Sequence, residues 1–353
     1  MKFNIEKKSI YSLDKCYSIA PLFYQNKEYF LVAAEKVNEC VLFDMEGNVR
    51  DVIWKEPGGT MSMVQIPNSD GQFLATQKFY SPNDSKEAKI VIVTAKEGGK
   101  WEIETLVELP HVHRFDIVER NGVHYLIACT LKSGHDYKED WSQPGKVYVA
   151  ELPKDLSGFS IDNQLKLTVL KENMLKNHGY YRVVDEGVET SIISAENGVY
   201  QFIPPKDKEG EWEIKKLLDS PASDAVLVDL DEDGEKELVV LSPFHGDQIR
   251  IYQKQEGKYH LTYEYEKRAK FLHAIGIAVI AKKPVLILGH RSGEQNLMLF
   301  RFDQEKKEYQ MQLIDSNCGS ANVSIFYKDT NMILISANRE TNEVALYQIG
   351  ADS

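Results

Sequence analysis

The sequence predicts an all-β fold: a seven-bladed β-propeller of four-stranded blades, its ring closed by the N-terminal strand. Three observations carry this. First, one unit recurs, made of a short strand, a tight turn, an apolar strand with a polar tip, and a third strand of the Val-Tyr-Val type. Its period is about 40 to 50 residues, the spacing of propeller blades. Second, seven such units use nearly all of the 353 residues, as one domain over 1–353. Third, the chain is rich in ring side chains (18 Tyr, 14 Phe), which favour sheets.

The units follow in order. The first runs from Ser18 through an apolar strand at 29–34 to the tip Glu35/Lys36, then residues 40–43 and 49–53. The second starts at 61–66, turns at 68–71, and continues through 73–76 to Gln77/Lys78, then 89–93. The third spans 113–118 and 124–130, with a long polar tip at 131–145 and a strand at 147–150. Residues 154–177 follow as a polar stretch with no clear place. The fourth comprises 178–184, 190–195 and 199–202, and the fifth 225–228, 238–241 and 248–252. The sixth comprises 273–280, 285–288 and 297–300, and the seventh 322–326, 332–336 and 344–347. The seventh unit lacks an outer strand, and residues 3–11 alternate as a strand does. Placed beside the C-terminal strands, they would protect a sheet edge.

Charge narrows the function classes. The net charge of -12 disfavours a nucleic-acid or anionic-membrane partner, because both need a basic face. No apolar run approaches the roughly 18 residues of a membrane span. The opening Met-Lys-Phe-Asn-Ile-Glu-Lys-Lys lacks the apolar core of a signal peptide. Cys16, Cys40, Cys129 and Cys318 are widely spaced, without a CxxC pattern. They read as reduced, mostly buried thiols, and the expected location is the cytoplasm.

The repeat register sorts polar residues to one end of the blades. Inner strands begin at Ser18, Ser62, His113, His178, Asp224, His273 and Asn322. Second strands end at Glu35/Lys36, Gln77/Lys78, Lys132, Glu196, His245, His290/Arg291 and Asn338/Arg339. Five of nine histidines fall in these two classes: His113, His178, His245, His273 and His290. Imidazoles gathered at one propeller mouth suit a divalent metal (Zn2+, Mn2+ or Mg2+), a proton-transfer site, or both. His113, His178 and His245 are the first candidates for metal ligands or base. Arg291 and Arg339 would hold a carboxylate or carbonyl oxygen, and Lys132 would assist. The bland alternative is a set of hydrogen-bonded structural histidines and surface ion pairs.

A second motif lies in the fifth unit. Asp229, Asp231 and Asp233 alternate, then Gly234, Glu235 and Glu237 follow between two strands. Oxygens at alternate positions of a tight loop converge on a hard cation, and Gly234 permits the turn. These five acidic residues are the candidate ligands of a structural Ca2+, on the face opposite the histidines. An acidic hairpin turn without metal is the alternative.

This loop and its flanking strands resemble the FG-GAP (VCBS-type) repeat of integrin-like β-propellers. The fourth, sixth and seventh units lack the motif. A propeller mouth with several His, an Arg and Tyr candidates is similar to those of the aldos-2-ulose dehydratase group and of seven-bladed polysaccharide lyases. That resemblance implies a carbon–oxygen lyase acting on a small saccharide or oxidised-sugar substrate, with a proton removed next to a carbonyl or carboxylate. The other reading is a non-catalytic integrin-like propeller that binds a glycan or protein partner. No GxSxG, P-loop, helix-opening GxGxxG or HExxH occurs. Substrate and oligomeric state have no signature in the sequence.

Overall fold

The computed structural model describes residues 2–36, 38–328 and 331–351. Its described residues form seven four-stranded antiparallel sheets, the fold of a seven-bladed β-propeller. The N-terminal strand β1 (Phe3–Ser12) is held for the last sheet. Sheet one is β2 (Cys16–Tyr24), β3 (Lys27–Ala34), β4 (Cys40–Asp44) and β5 (Val49–Trp54). Sheet two is β6 (Met63–Gln65), β7 (Phe73–Gln77), β8 (Lys89–Lys96) and β9 (Lys100–Glu108). Sheet three is β10 (Val112–Arg120), β11 (Val123–Thr130), β12 (Gly145–Glu151) and β13 (Thr168–Met174). Sheet four is β14 (Gly179–Asp185), β15 (Val188–Ala195), β16 (Gly198–Ile203) and β17 (Glu213–Leu218).

Sheet five is β18 (Asp224–Val228), β19 (Glu237–Ser242), β20 (Gln248–Gln255) and β21 (Lys258–Glu264). Sheet six is β22 (Leu272–Ile280), β23 (Lys283–His290), β24 (Leu297–Asp303) and β25 (Glu308–Asp315). Sheet seven joins β26 (Ser320–Lys328), β27 (Asn331–Asn338) and β28 (Glu343–Ala351) to β1. Strand β1 pairs antiparallel with β28 from Phe3↔Ala351 to Ser12↔Glu343. The donated outer strand expected from residues 3–11 is therefore present. The unplaced stretch 154–177 contains β13, and Leu165 is tied by its N–H to the Leu106 carbonyl of β9 at 2.9 Å.

The chain divides into two compact units, residues 20–222 and residues 1–19 with 223–353. In each, the middle strands are the most apolar because both of their faces are buried. In the second unit, Ile287 and Leu299 of sheet six share a cluster with Leu334, Tyr347 and Phe3 of sheet seven. In the first, Leu31 and Leu42 of sheet one share a cluster with Phe73, Val91 and Val93 of sheet two. All four cysteines are buried and free. Burial raises the thiols of Cys16, Cys129 and Cys318 to about 12, which leaves them protonated and unreactive. No described helix is long and apolar enough to cross a membrane.

Strand β1 buries Phe3, and its Lys7 bridges Asp315 (2.8 Å) and Glu343 (2.9 Å). Deleting residues 2–12 should cost about 3 kcal/mol or more, the scale of losing one buried Phe. Urea denaturation measures this; an unchanged midpoint would show that β1 is dispensable.

Candidate functional site

In the unit of sheets five to seven, the polar ends of the inner strands build a ring-lined centre. His273, at the start of β22, is buried. Its Nδ1 lies 2.6 Å from the Ala321 carbonyl, a contact that requires the proton on Nδ1. Nε2 then carries the lone pair, and the Tyr17 hydroxyl donates to it at 3.0 Å. Tyr17 comes from β2, 256 residues away, and meets His273 edge-on. Asn322 fixes the same strand by donating to the Tyr17 carbonyl at 2.8 Å.

Beside this pair lies a stack of planar groups. The His245 ring sits 4.0 Å from Phe244 and 4.3 Å from Phe271, centroid to centroid. The His273 ring lies 5.7 Å from His245. The Arg291 guanidinium covers the Phe271 ring at 4.4 Å. His245 and Phe271 both have positive φ, 49° and 62°. That region is costly for side chains with a Cβ, and such strain tends to cluster at functional positions. Arg291 and Arg339 share one carboxylate: each reaches Glu340 at 2.8 Å. Arg339 and Glu340 lie in a short 3-10 turn, Arg339–Thr341. Their two positive charges hold the Glu340 carboxyl below its usual range, against the opposing effect of burial.

His290 differs. Its Nδ1 contacts the Ser292 carbonyl at 2.9 Å, and its Nε2 accepts the Asn296 N–H at 3.0 Å. Both nitrogens are consumed by the adjacent turn, so this ring organises the loop rather than offering a base or ligand.

In the other unit, His113 and His178 are neighbours, with ring centroids 4.6 Å apart. His113 Nδ1 contacts the His178 carbonyl at 3.2 Å, and Phe79 closes on His113 edge-on. Of the three imidazoles first expected to bind metal, His113 and His178 are these two neighbours. Lys132 is fully buried and donates to Asn83 Oδ1 (3.0 Å) and the Asp140 carbonyl (2.8 Å). It also lies over the Trp141 ring at 4.1 Å. These contacts anchor the 131–145 loop and give Lys132 a structural place instead of an assisting one.

The acidic loop between β18 and β19 sits at the other end of that hairpin from Asp224. Asp229, Asp231 and Glu237 each bring an oxygen within 4.8 Å of the others. Asp229 Oδ1 is buried and accepts no hydrogen bond from the described residues. Asp233 and Glu235, expected as ligands, stay outside the group and are exposed; Asp233 Oδ1 takes the Glu235 N–H at 2.8 Å. Gln253 holds Asp231 Oδ2 at 2.9 Å, and Gln304 donates to the Asp231 carbonyl. An open depression of about 660 Å³ adjoins the loop, with Phe302, Lys283 and Lys307 on its wall. Burial, then the nearby Asp231 charge, raises the Glu237 carboxyl to about 7. Converging oxygens, one buried carboxylate oxygen without a hydrogen bond and repulsion between neighbouring carboxylates all suit a hard cation.

Sequence reasoning missed Tyr17, Phe244, Phe271 and Glu340. Tyr17 is one of 18 tyrosines, so nothing local marks it. Phe244 and Phe271 adjoin predicted histidine positions, the one signal available.

No family model matches the chain, and no curated relative matches it. Among solved structures, it is similar to the β-propeller domain of Myceliophteria thermophila Cps50 (Swd1). The two share 12% identity at a TM-score of 0.61, over 97% of this chain and 99% of that one. At that identity the likeness shows the fold alone.

Glu237 gives a pH signature. Without a cation its folded value is raised above the ordinary 4.5, so the native state binds more protons. Its contribution is complete below about 4.5 and is lost as pH rises through about 7. In chelator, thermal stability should fall across that window, and Glu237→Gln should flatten the fall. Parallel curves for both proteins would remove Glu237 as the cause.

Proposed function

We propose that this propeller is a carbon–oxygen lyase acting on a small sugar derivative, with Tyr17 and His273 handling the proton. The observation that carries the reading is the fixed tautomer of His273: Nδ1–H on the Ala321 carbonyl, Nε2 facing the Tyr17 hydroxyl. That arrangement lets His273 accept the phenol proton while Tyr17 takes one from carbon. The carbon lies next to a carbonyl or carboxylate, so its electron pair moves into an enolate. Arg291 is the group suited to that oxygen's charge. Collapse of the enolate breaks the neighbouring carbon–oxygen bond, and the proton passes back through Tyr17 to the leaving oxygen. The hydroxyl leaves as water, and no oxidant or reductant is needed. The Phe244–His245–Phe271 stack offers a flat surface for a sugar ring.

The acidic loop is proposed to hold a structural Ca2+ through Asp229, Asp231 and Glu237. Calcium there would neutralise the carboxylates and brace the β18–β19 hairpin; the proton transfer does not pass through it.

The second reading is a non-catalytic propeller that binds a glycan or protein partner. Tyr17 and His273 are each 2% exposed, as a purely structural pair would also be, which favours it.

A panel of oxidised sugars and uronides, followed by the ultraviolet absorbance of an unsaturated product, separates the two. Turnover should fall by about 10²- to 10⁴-fold in Tyr17→Phe and in His273→Ala. Binding without turnover in the wild type would establish the second reading. For the loop, Ca2+ at a hundredfold excess over its Kd should add about 2.7 kcal/mol to stability. Asp229→Asn should abolish that gain; an equal gain in the variant would place the ion elsewhere. Zinc, manganese and magnesium contents of the same preparation test the second ion expected from the imidazoles.

A further inference from the structure

The loop 131–145, between β11 and β12, is long for a blade tip and carries little backbone pairing of its own. Its ends are joined by the bridge Lys132↔Pro144 and by the Ser133 N–H, which donates to the Gln143 carbonyl at 3.0 Å. Side chains fasten it instead, and most reach one residue, Asn83, in the turn before β8. Asn83 Oδ1 accepts from Lys132 at 3.0 Å, and its Nδ2 donates to Glu139 at 3.3 Å. Its carbonyl faces His135 Nε2 at 3.3 Å. The Lys132 ammonium is thus buried with neutral oxygens and an indole face as its direct partners.

Beneath this catch lie two more basic groups. His111 is buried, and its ring meets His135 edge-on at 5.7 Å. Its Nδ1 is 2.7 Å from the Ser85 hydroxyl, and its backbone is held at a φ of 65°. His135 Nδ1 is buried without a hydrogen-bond partner among the described residues. The charged groups around His111 are His135, Lys132 and Lys86, all basic; the carboxylates of Glu139 and Asp140 act on Lys132.

We propose that the 131–145 loop is an acid-released strap, latched to Asn83 at neutral pH and let go when the buried His111 gains a proton. The reason is electrostatic. A new positive charge on His111 and the buried Lys132 ammonium repel each other, and an opened loop hydrates both. Burial, then His135 and the two lysines, depresses His111 to about 4 from the ordinary 6.5. A base with a lowered folded value stabilises the closed form above 6.5, and that contribution is lost as pH falls toward 4. Tyr137, 69% exposed, stands at the outer part of the strap.

Hydrogen–deuterium exchange of the intact chain, corrected for intrinsic rates, tests this. Between pH 7 and 5, exchange within 131–145 should rise roughly tenfold while the central strands stay protected. Asn83→Ala should show fast exchange in the strap already at pH 7, and His111→Gln should blunt the acid response. A strap equally protected at both pH values overturns the proposal. So does an acid response that spreads through the central strands, because that is global unfolding. The strap belongs to the unit without Tyr17 and His273, so this result is independent of whether the chain is a lyase.

Discussion

Burial of both faces of the middle strands is the constraint on which the rest depends. Strands such as β19 and β23 are buried on both faces and leave almost no side chain for solvent. Such strands must be apolar along their length, so polar groups collect where the strands end. That is where Asp224, His245, His273 and Arg291 are found. The sites are a by-product of how a sheet is sandwiched, and their chemistry is set by which ends meet.

The centre around His273 shows how much such meetings decide. Its ring is fixed by a carbonyl near the start of β26 and a phenol from β2, neither predictable from its neighbours. The positive φ of Phe271 and His245 is held because the surrounding strands over-determine those turns. A second order of organisation appears in the acidic loop. There Gln253 and Gln304 orient Asp231 from other hairpins, leaving Asp229 and Glu237 to converge with it.

Legibility followed burial. The first three strands of most units read clearly, because a buried strand is an uninterrupted apolar run. The fourth strands did not. β17 and β21 are exposed over most of their length, and β9 is apolar and buried only near its end. β13 was hidden inside the polar stretch 154–177 for the same reason. Among site residues, position was legible and role was not. His245 lies in the turn after its second strand and His290 ends its own, yet one stacks between phenyl rings and the other is bound on both nitrogens by its own turn.

The sequence by itself determined the all-β class, the seven repeats, the donated N-terminal strand and the acidic loop. All of these are written in local patterns of polarity and spacing. Only the tertiary structure decided that Tyr17 partners His273, that Asp233 and Glu235 stand apart from the converging carboxylates, and that Lys132 is a buried anchor. Those outcomes depend on which distant strand ends are brought within hydrogen-bonding reach, and a short-range pattern along the chain does not encode that.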